Sequence, residues 1–148
     1  MTTTSTWPGD SMSRTSAARR LQQRNPHHHM KNILIVDDDA AFLHSLGELI
    51  RMVDENLCVY TAENGAQATV ILASIPVDLM ITDLRMPVMS GQELIIRTRE
   101  THPDLPIVVV SACGHAPTIR ELGKPGCHFF DKPINVNELI GTLRKLIQ

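Results

Sequence analysis

Aromatic residues are scarce in this chain of 148 residues, which has one Trp, one Tyr and three Phe. A surface that stacks the bases of single-stranded nucleic acid needs several such rings, so we do not expect that function. The three cysteines have no CxxC spacing, which argues against a disulfide scaffold or a cysteine zinc site. No apolar run reaches the roughly 20 residues that cross a bilayer. These absences favour a cytoplasmic, globular protein without a membrane span.

An excess of positive charge is also missing, because the formal net charge is −2. Residues 1–29 carry four Arg against one Asp, whereas the chain from Met30 onward has ten Lys and Arg against fifteen Asp and Glu. Affinity for duplex DNA depends on neutralising phosphates with Lys and Arg. We therefore expect no direct binding of nucleic acid by the acidic part.

The first 29 residues are rich in Ser, Thr, Arg and Gln and nearly free of large aliphatic side chains. Such a segment cannot bury enough apolar surface to offset the entropy lost on ordering. It also has no apolar stretch typical of a secretory signal. We expect residues 1–29 to be a disordered tail or residues added for expression, and residues 30–148 to be a folded domain.

From Met30 onward, short apolar runs alternate with helical patterns. Leu43, Leu46, Ile50 and Val53 have the spacing of one helix face within 40–53. Three later helices are expected to begin with capping boxes at 64–67, 90–93 and 135–138. The strand patterns lie at 33–36, 57–61, 77–82, 107–110 and 128–130. This order predicts an α/β fold with a doubly wound, five-stranded parallel sheet flanked by helices on both faces.

Charged or hydroxyl side chains come just after four of the predicted strands. These are Asp37-Asp38-Asp39, Asp83, Ser111 and Lys132. In open α/β sheets, sites form at the carboxyl ends of the strands, so we expect these groups to meet at one edge. Clustered carboxylates repel one another unless they bind a cation or take up protons. The pattern predicts a site for a hard divalent cation, above all Mg²⁺, with Lys132 and Ser111 completing a cup for a dianionic group.

Four motifs carry a resemblance to a known family. They are ILIVDDD at 33–39, DLMITDLRMPVMSG at 78–91, IVVVSA at 107–112 and FFDKP at 129–133. With them the chain from Met30 to Gln148 resembles the receiver domain of two-component response regulators, of the small chemotaxis-regulator type. The resemblance implies a (βα)5, flavodoxin-like fold.

The resemblance also implies roles for the acidic residues. Asp83 would be the phosphoacceptor, whose carboxylate attacks a phosphohistidine and forms an acyl phosphate. Asp37 and Asp38 would hold Mg²⁺, Asp38 directly and Asp37 through water. Asp83 and the backbone carbonyl of Arg85 would complete the protein ligands.

Three further residues receive roles in the same way. Lys132 would pair with the phosphoryl oxygens and Ser111 would donate a hydrogen bond to them. Phe129 stands at the position of the family's rotating aromatic residue, so Ser111 and Phe129 would form the conformational switch. Since Phe129 has no hydroxyl group, we expect its ring to favour the buried position more than a Tyr would.

Several neighbouring residues have simpler interpretations. Asp39 is expected to be the N-cap of the first helix rather than a third metal ligand. Asp78 is expected to be a solvated acid where a strand begins, and Gly91 to allow a tight entry into the next helix. Pro117 and the run at 123–126 predict a short or irregular fourth helix. As that helix often forms the dimer surface of the family, we expect a monomer or a weak dimer.

Three functions remain open from the sequence. The first is a receiver that is no enzyme beyond its own phosphorylation and dephosphorylation, with a histidine kinase or phosphotransfer protein upstream and an unknown protein target downstream. The second is a receiver-like interaction module that does not use phosphate, and the third is an aspartyl-phosphate hydrolase with Asp37 as nucleophile. A helix is expected to end the sequence, so no DNA-binding domain is expected after it, unless an output domain has been removed.

Overall fold

Five parallel strands form one sheet in the structure, a computed structural model that describes residues 30–112 and 126–148. The spatial order is β2-β1-β3-β4-β5, and every neighbouring pair is parallel. The strands are β1 (Lys31–Val36), β2 (Leu57–Ala62), β3 (Leu79–Thr82), β4 (Ile107–Ala112) and β5 (Cys127–Lys132). The predicted doubly wound parallel sheet is therefore confirmed.

Four helices accompany the sheet in the described part of the chain. They are α1 (Ala40–Val53), α2 (Gly65–Ser74), α3 (Gly91–Thr101) and α4 (Val136–Leu146). No helix within 30–112 and 126–148 is long and apolar enough to cross a membrane. The expected tail at 1–29 and the expected irregular fourth helix after Cys113 lie outside the described residues.

The predicted capping residues begin three of these helices. The side chains of Asn64, Ser90 and Asn135 each accept a hydrogen bond from the backbone N–H three residues later. A capping box has a second hydrogen bond, from the backbone N–H of the cap residue to the side chain three residues later, and here two of these side chains have other partners. Glu93 pairs with Arg97 at 3.0 Å, and Gln67 accepts from the N–H of Glu63 rather than from that of Asn64.

The strands divide their side chains between two apolar cores. Alternate residues of a strand point to opposite faces, so Leu34 and Val36 lie on one side and Ile33 and Ile35 on the other. Helices α2 and α3 cover the first face, and α1 and α4 cover the second. With both faces buried, the polar groups that follow the strands remain at the carboxyl edge of the sheet.

Candidate functional site

Three carboxylates meet at the carboxyl edge of the sheet. Asp37 and Asp38 follow β1, and Asp83 follows β3, which is one of the two strands paired with β1. One oxygen from each of the three lies within 4.8 Å of the others. Asp37 is 1% exposed and Asp83 is 9% exposed, whereas Asp38 faces solvent. The cluster is thus anchored in the interior and open to solvent at Asp38.

Lys132 at the end of β5 places its ammonium group between two of these carboxylates. Its Nζ donates to Asp37 Oδ2 at 2.8 Å and to Asp83 Oδ2 at 3.5 Å. On another side the ammonium lies 4.5 Å from the centre of the Phe42 ring. The side chain of Lys132 is 28% exposed. The structure therefore brings together Asp37, Asp38, Asp83 and Lys132, as the sequence predicted.

The electrostatics of the cluster keep Lys132 charged. Partial burial by itself would lower the pKa of Lys132, because it disfavours the ammonium form. The hydrogen bond to Asp37, the charges of Asp37 and Asp83 and the bond to Asp83 outweigh this effect and raise the pKa above its ordinary value. A positive charge is thereby fixed beside the Asp83 carboxylate at neutral pH.

Backbone N–H groups orient the Asp83 carboxylate. Its Oδ1 accepts from the N–H of Leu84 at 2.7 Å and from that of Arg85 at 3.4 Å. Its Oδ2 faces the Lys132 ammonium. The main chain joins Asp83 to β1, because its N–H donates to the carbonyl of Val36 at 2.9 Å. One carboxylate oxygen is therefore held by the loop, and the other points toward the cationic side of the site.

Asp37 uses both of its oxygens within the protein. Oδ1 accepts from the N–H of Asp39 at 2.9 Å, and Oδ2 accepts from Lys132. Asp39 itself accepts from the N–H groups of Ala41 and Phe42, which confirms it as the N-cap of α1. The acidic run after β1 thus has three distinct environments: a buried anchor at Asp37, a solvent-facing carboxylate at Asp38 and a helix cap at Asp39.

The loop after Asp83 returns closely on its own backbone. The N–H of Gly91 donates to the carbonyl of Leu84 at 2.9 Å. A Cβ at Gly91 would lie 1.8 Å from the carbonyl oxygen of Asp83, so the tight entry predicted there is a close approach that excludes every side chain. Within the loop, Val88 has φ 71°, and Met89 donates to the carbonyl two residues earlier, which forms a γ-turn.

Four further residues singled out from the sequence have environments of their own. Ser111 is 7% exposed near the end of β4, and its hydroxyl donates to the carbonyl of Ala112 at 3.4 Å. Phe129 is half-buried and packs against the core under α2 and α3. The side chain of Arg85 is exposed. Asp78 is not simply solvated as expected, because it is half-buried and accepts from the N–H of Asn32 at 2.8 Å.

Phe42 is the residue of the site that sequence reasoning missed. It lies in the first turn of α1, three residues after the N-cap Asp39. A signal was present, because side chains in a helix lean toward its N-terminus and this N-terminus adjoins the acidic run. The sequence could not show that the partner would be the ammonium of a residue 90 positions away.

Comparisons with known proteins agree with this geometry. The model of the response regulator receiver domain family matches residues 33–144. The transcriptional regulatory protein GlrR of Escherichia coli K12 is 34% identical over 102 residues, which is 68% of this chain and 22% of GlrR. This chain thus spans about a fifth of the length of that relative.

Two solved structures contain a similar domain. The response regulator TrrA of Thermotoga maritima in complex with Mg²⁺ and BeF is 31% identical, with a TM-score of 0.70 over 79% of this chain and 99% of that one. In a complex of TrrA with the histidine kinase ThkA, the similar chain is 30% identical, with a TM-score of 0.70 over 80% of this chain and all of that one. The chain belongs to the response regulator receiver domain family, whose members are signalling phosphoacceptors.

Proposed function

We propose that Asp83 is the phosphoacceptor of this receiver domain. The observation that carries the proposal is the position of Asp83 Oδ2, which faces the Lys132 ammonium at 3.5 Å while Oδ1 is held by backbone N–H groups. In the proposed step, a carboxylate oxygen of Asp83 forms a bond to the phosphorus of a phosphohistidine. The bond from phosphorus to the imidazole nitrogen breaks, and the imidazole leaves with its electron pair and takes up a proton.

The donor set fits Mg²⁺, which prefers carboxylate, carbonyl and water oxygens. Three carboxylates lie within 4.8 Å, and one of them, Asp38, faces solvent. We assign Asp38 as a direct ligand, Asp37 as a ligand through water, and Asp83 with the backbone carbonyl of Arg85 as the remaining protein ligands. When bound, Mg²⁺ would neutralise charge on the phosphoryl oxygens.

We assign the remaining groups the roles that the family resemblance implies. Lys132 would bind the phosphoryl oxygens through an ammonium that already points at Asp83. Ser111, at the same edge of the sheet, would donate its hydroxyl hydrogen to the phosphoryl group rather than to Ala112. The ring of Phe129, now half-buried, would then take the space beside Ser111, which makes these two residues the switch.

The partners follow from this chemistry. A histidine kinase or phosphotransfer protein would supply the phosphoryl group, and the complex of ThkA with the similar TrrA supports this class of donor. The output would pass to a protein target, since the acidic charge balance from Met30 onward does not suit DNA. We place the protein in the cytoplasm as a monomer or weak dimer that catalyses only its own phosphorylation and dephosphorylation.

Labelling with acetyl phosphate tests the assignment. With Mg²⁺ we expect the wild type to gain the mass of one phosphoryl group and Asp83→Asn to gain none. Asp104→Asn, which changes an exposed acid outside the site, is the matched control and should be labelled normally. Labelling that persists in Asp83→Asn would refute the assignment. If labelling is lost only in Asp37→Asn, an aspartyl-phosphate hydrolase with Asp37 as nucleophile is favoured. If the wild type is not labelled at all, an interaction module that does not use phosphate is favoured.

A further inference from the structure

The contact between Phe42 and Lys132 assigns a further residue to the site. The Lys132 ammonium has two carboxylates as hydrogen-bond acceptors and a ring centre 4.5 Å away. That distance lies within the roughly 6 Å at which the negative face of an aromatic ring attracts a cation. We propose that Phe42 is a positioning residue whose ring holds Lys132 toward Asp83 for contact with the phosphoryl group, an inference that rests on the proposed function.

The ring is well fixed for this role. Phe42 follows the N-cap Asp39, whose carboxylate accepts from the N–H of Phe42 at 3.2 Å. Its side chain packs against the apolar core beneath α1 and α4. Helix α1, which begins directly after the acidic run, thus also carries the ring, so one continuous piece of chain joins Phe42 to Asp37.

A neutral anchor has an advantage over an anionic one at this position. The shortest bond of Lys132 is to Asp37, at 2.8 Å, against 3.5 Å to Asp83. A cation held by the acidic cluster would compete with Lys132 for Asp37 and weaken that bond. The attraction of the ring does not depend on the charge of Asp37, so Phe42 keeps the ammonium beside Asp83 when the metal site is filled.

The test compares ring and aliphatic variants in binding beryllofluoride at saturating Mg²⁺, followed by NMR titration. We expect Phe42→Leu to bind it about threefold to tenfold more weakly and Phe42→Tyr, which keeps the ring face, to bind it as the wild type does. A second readout is the ring-current shift of the Lys132 Cε protons, which should be present in the wild type and Phe42→Tyr and absent in Phe42→Leu.

Leu49→Ala is the control for loosened packing, because Leu49 lies seven residues further along α1 and packs against the same core. It should leave beryllofluoride affinity unchanged. Wild-type affinity in Phe42→Leu, or an equal loss in Leu49→Ala, would overturn the proposal and reduce Phe42 to core packing. If the wild type itself binds no beryllofluoride, the phosphoacceptor assignment fails and the role of Phe42 with it, even where the ring-current shift is present.

Discussion

At the residue scale, the ion pair between Lys132 and Asp37 links the stability of the fold to the site. Asp37 is almost fully buried, so removal of its partner would leave a carboxylate that is poorly hydrated. Since the pKa of Lys132 is raised in the folded state, the pair stabilises the fold fully below the ordinary pKa of lysine. This contribution is lost only as the pH rises through the raised value, so it is present at neutral pH.

Replacement of Lys132 by a neutral residue should change Mg²⁺ affinity and the rate of phosphorylation in opposite directions. We expect Lys132→Met to bind Mg²⁺ at least about tenfold more tightly, because one positive charge beside three carboxylates is gone. The same variant should accept phosphate from acetyl phosphate more slowly, because the phosphoryl oxygens lose their cation. Without Mg²⁺ its free energy of unfolding should fall by about 1–3 kcal/mol.

Isothermal titration with Mg²⁺ and chemical denaturation measure these changes. Lys145→Met, which removes an exposed lysine at the end of α4, is the matched control and should behave as the wild type. Unchanged Mg²⁺ affinity in Lys132→Met would contradict the electrostatic account of the site.

At the element scale, the turn from β3 into α3 holds the glycine with the least space for a side chain among the glycines of the described residues. Gly91 begins α3 with no room for a Cβ, which would lie 1.8 Å from the Asp83 carbonyl oxygen. At Gly141 within α4, a Cβ would have no atom within 4 Å apart from its chain neighbours and the nearby backbone of its own helix. A side chain is therefore excluded at Gly91 and can be accommodated at Gly141, although both glycines lie in helices.

Alanine substitutions at these glycines should change stability in opposite directions. Gly91→Ala should lower the free energy of unfolding by at least about 2 kcal/mol, because the backbone that carries Asp83 must move. Gly141→Ala should raise it by about 0.5–1 kcal/mol, because alanine loses less backbone entropy in a helix. Urea denaturation followed by circular dichroism measures both, and a Gly91→Ala protein as stable as the wild type would refute the close approach.

The starts of the helices could be predicted from the sequence, but the hydrogen-bond partners of their first-turn side chains could not. The N-caps Asn64, Ser90 and Asn135 were predictable because a short polar side chain and the N–H three residues later are local to the chain. The second hydrogen bond of the capping box at Ser90 was not predictable, because the Glu93 side chain that would accept it pairs instead with Arg97, one turn along the helix. A local pattern decides the position of a helix start but not the choice between competing partners.

At the scale of the whole molecule, parallel pairing is what assembles the site. Because β1, β3, β4 and β5 run in one direction, the side chains that follow them meet at one edge of the sheet. The convergence of Asp37, Asp83 and Lys132 could be predicted from alternating strand and helix patterns. The preference of Lys132 for Asp37 over Asp83 could not be predicted. The distances from Nζ to the two carboxylate oxygens differ by only 0.7 Å, and a difference of this size depends on the exact positions of two neighbouring strand ends.

A crystal structure with Mg²⁺ and beryllofluoride tests the central claim most directly. The account predicts beryllium bonded to a carboxylate oxygen of Asp83, Mg²⁺ in contact with Asp38, and the Lys132 ammonium within hydrogen-bonding distance of a fluoride. Beryllium bonded to Asp37, or a structure in which Asp83 stays unmodified at saturating concentrations, would contradict it.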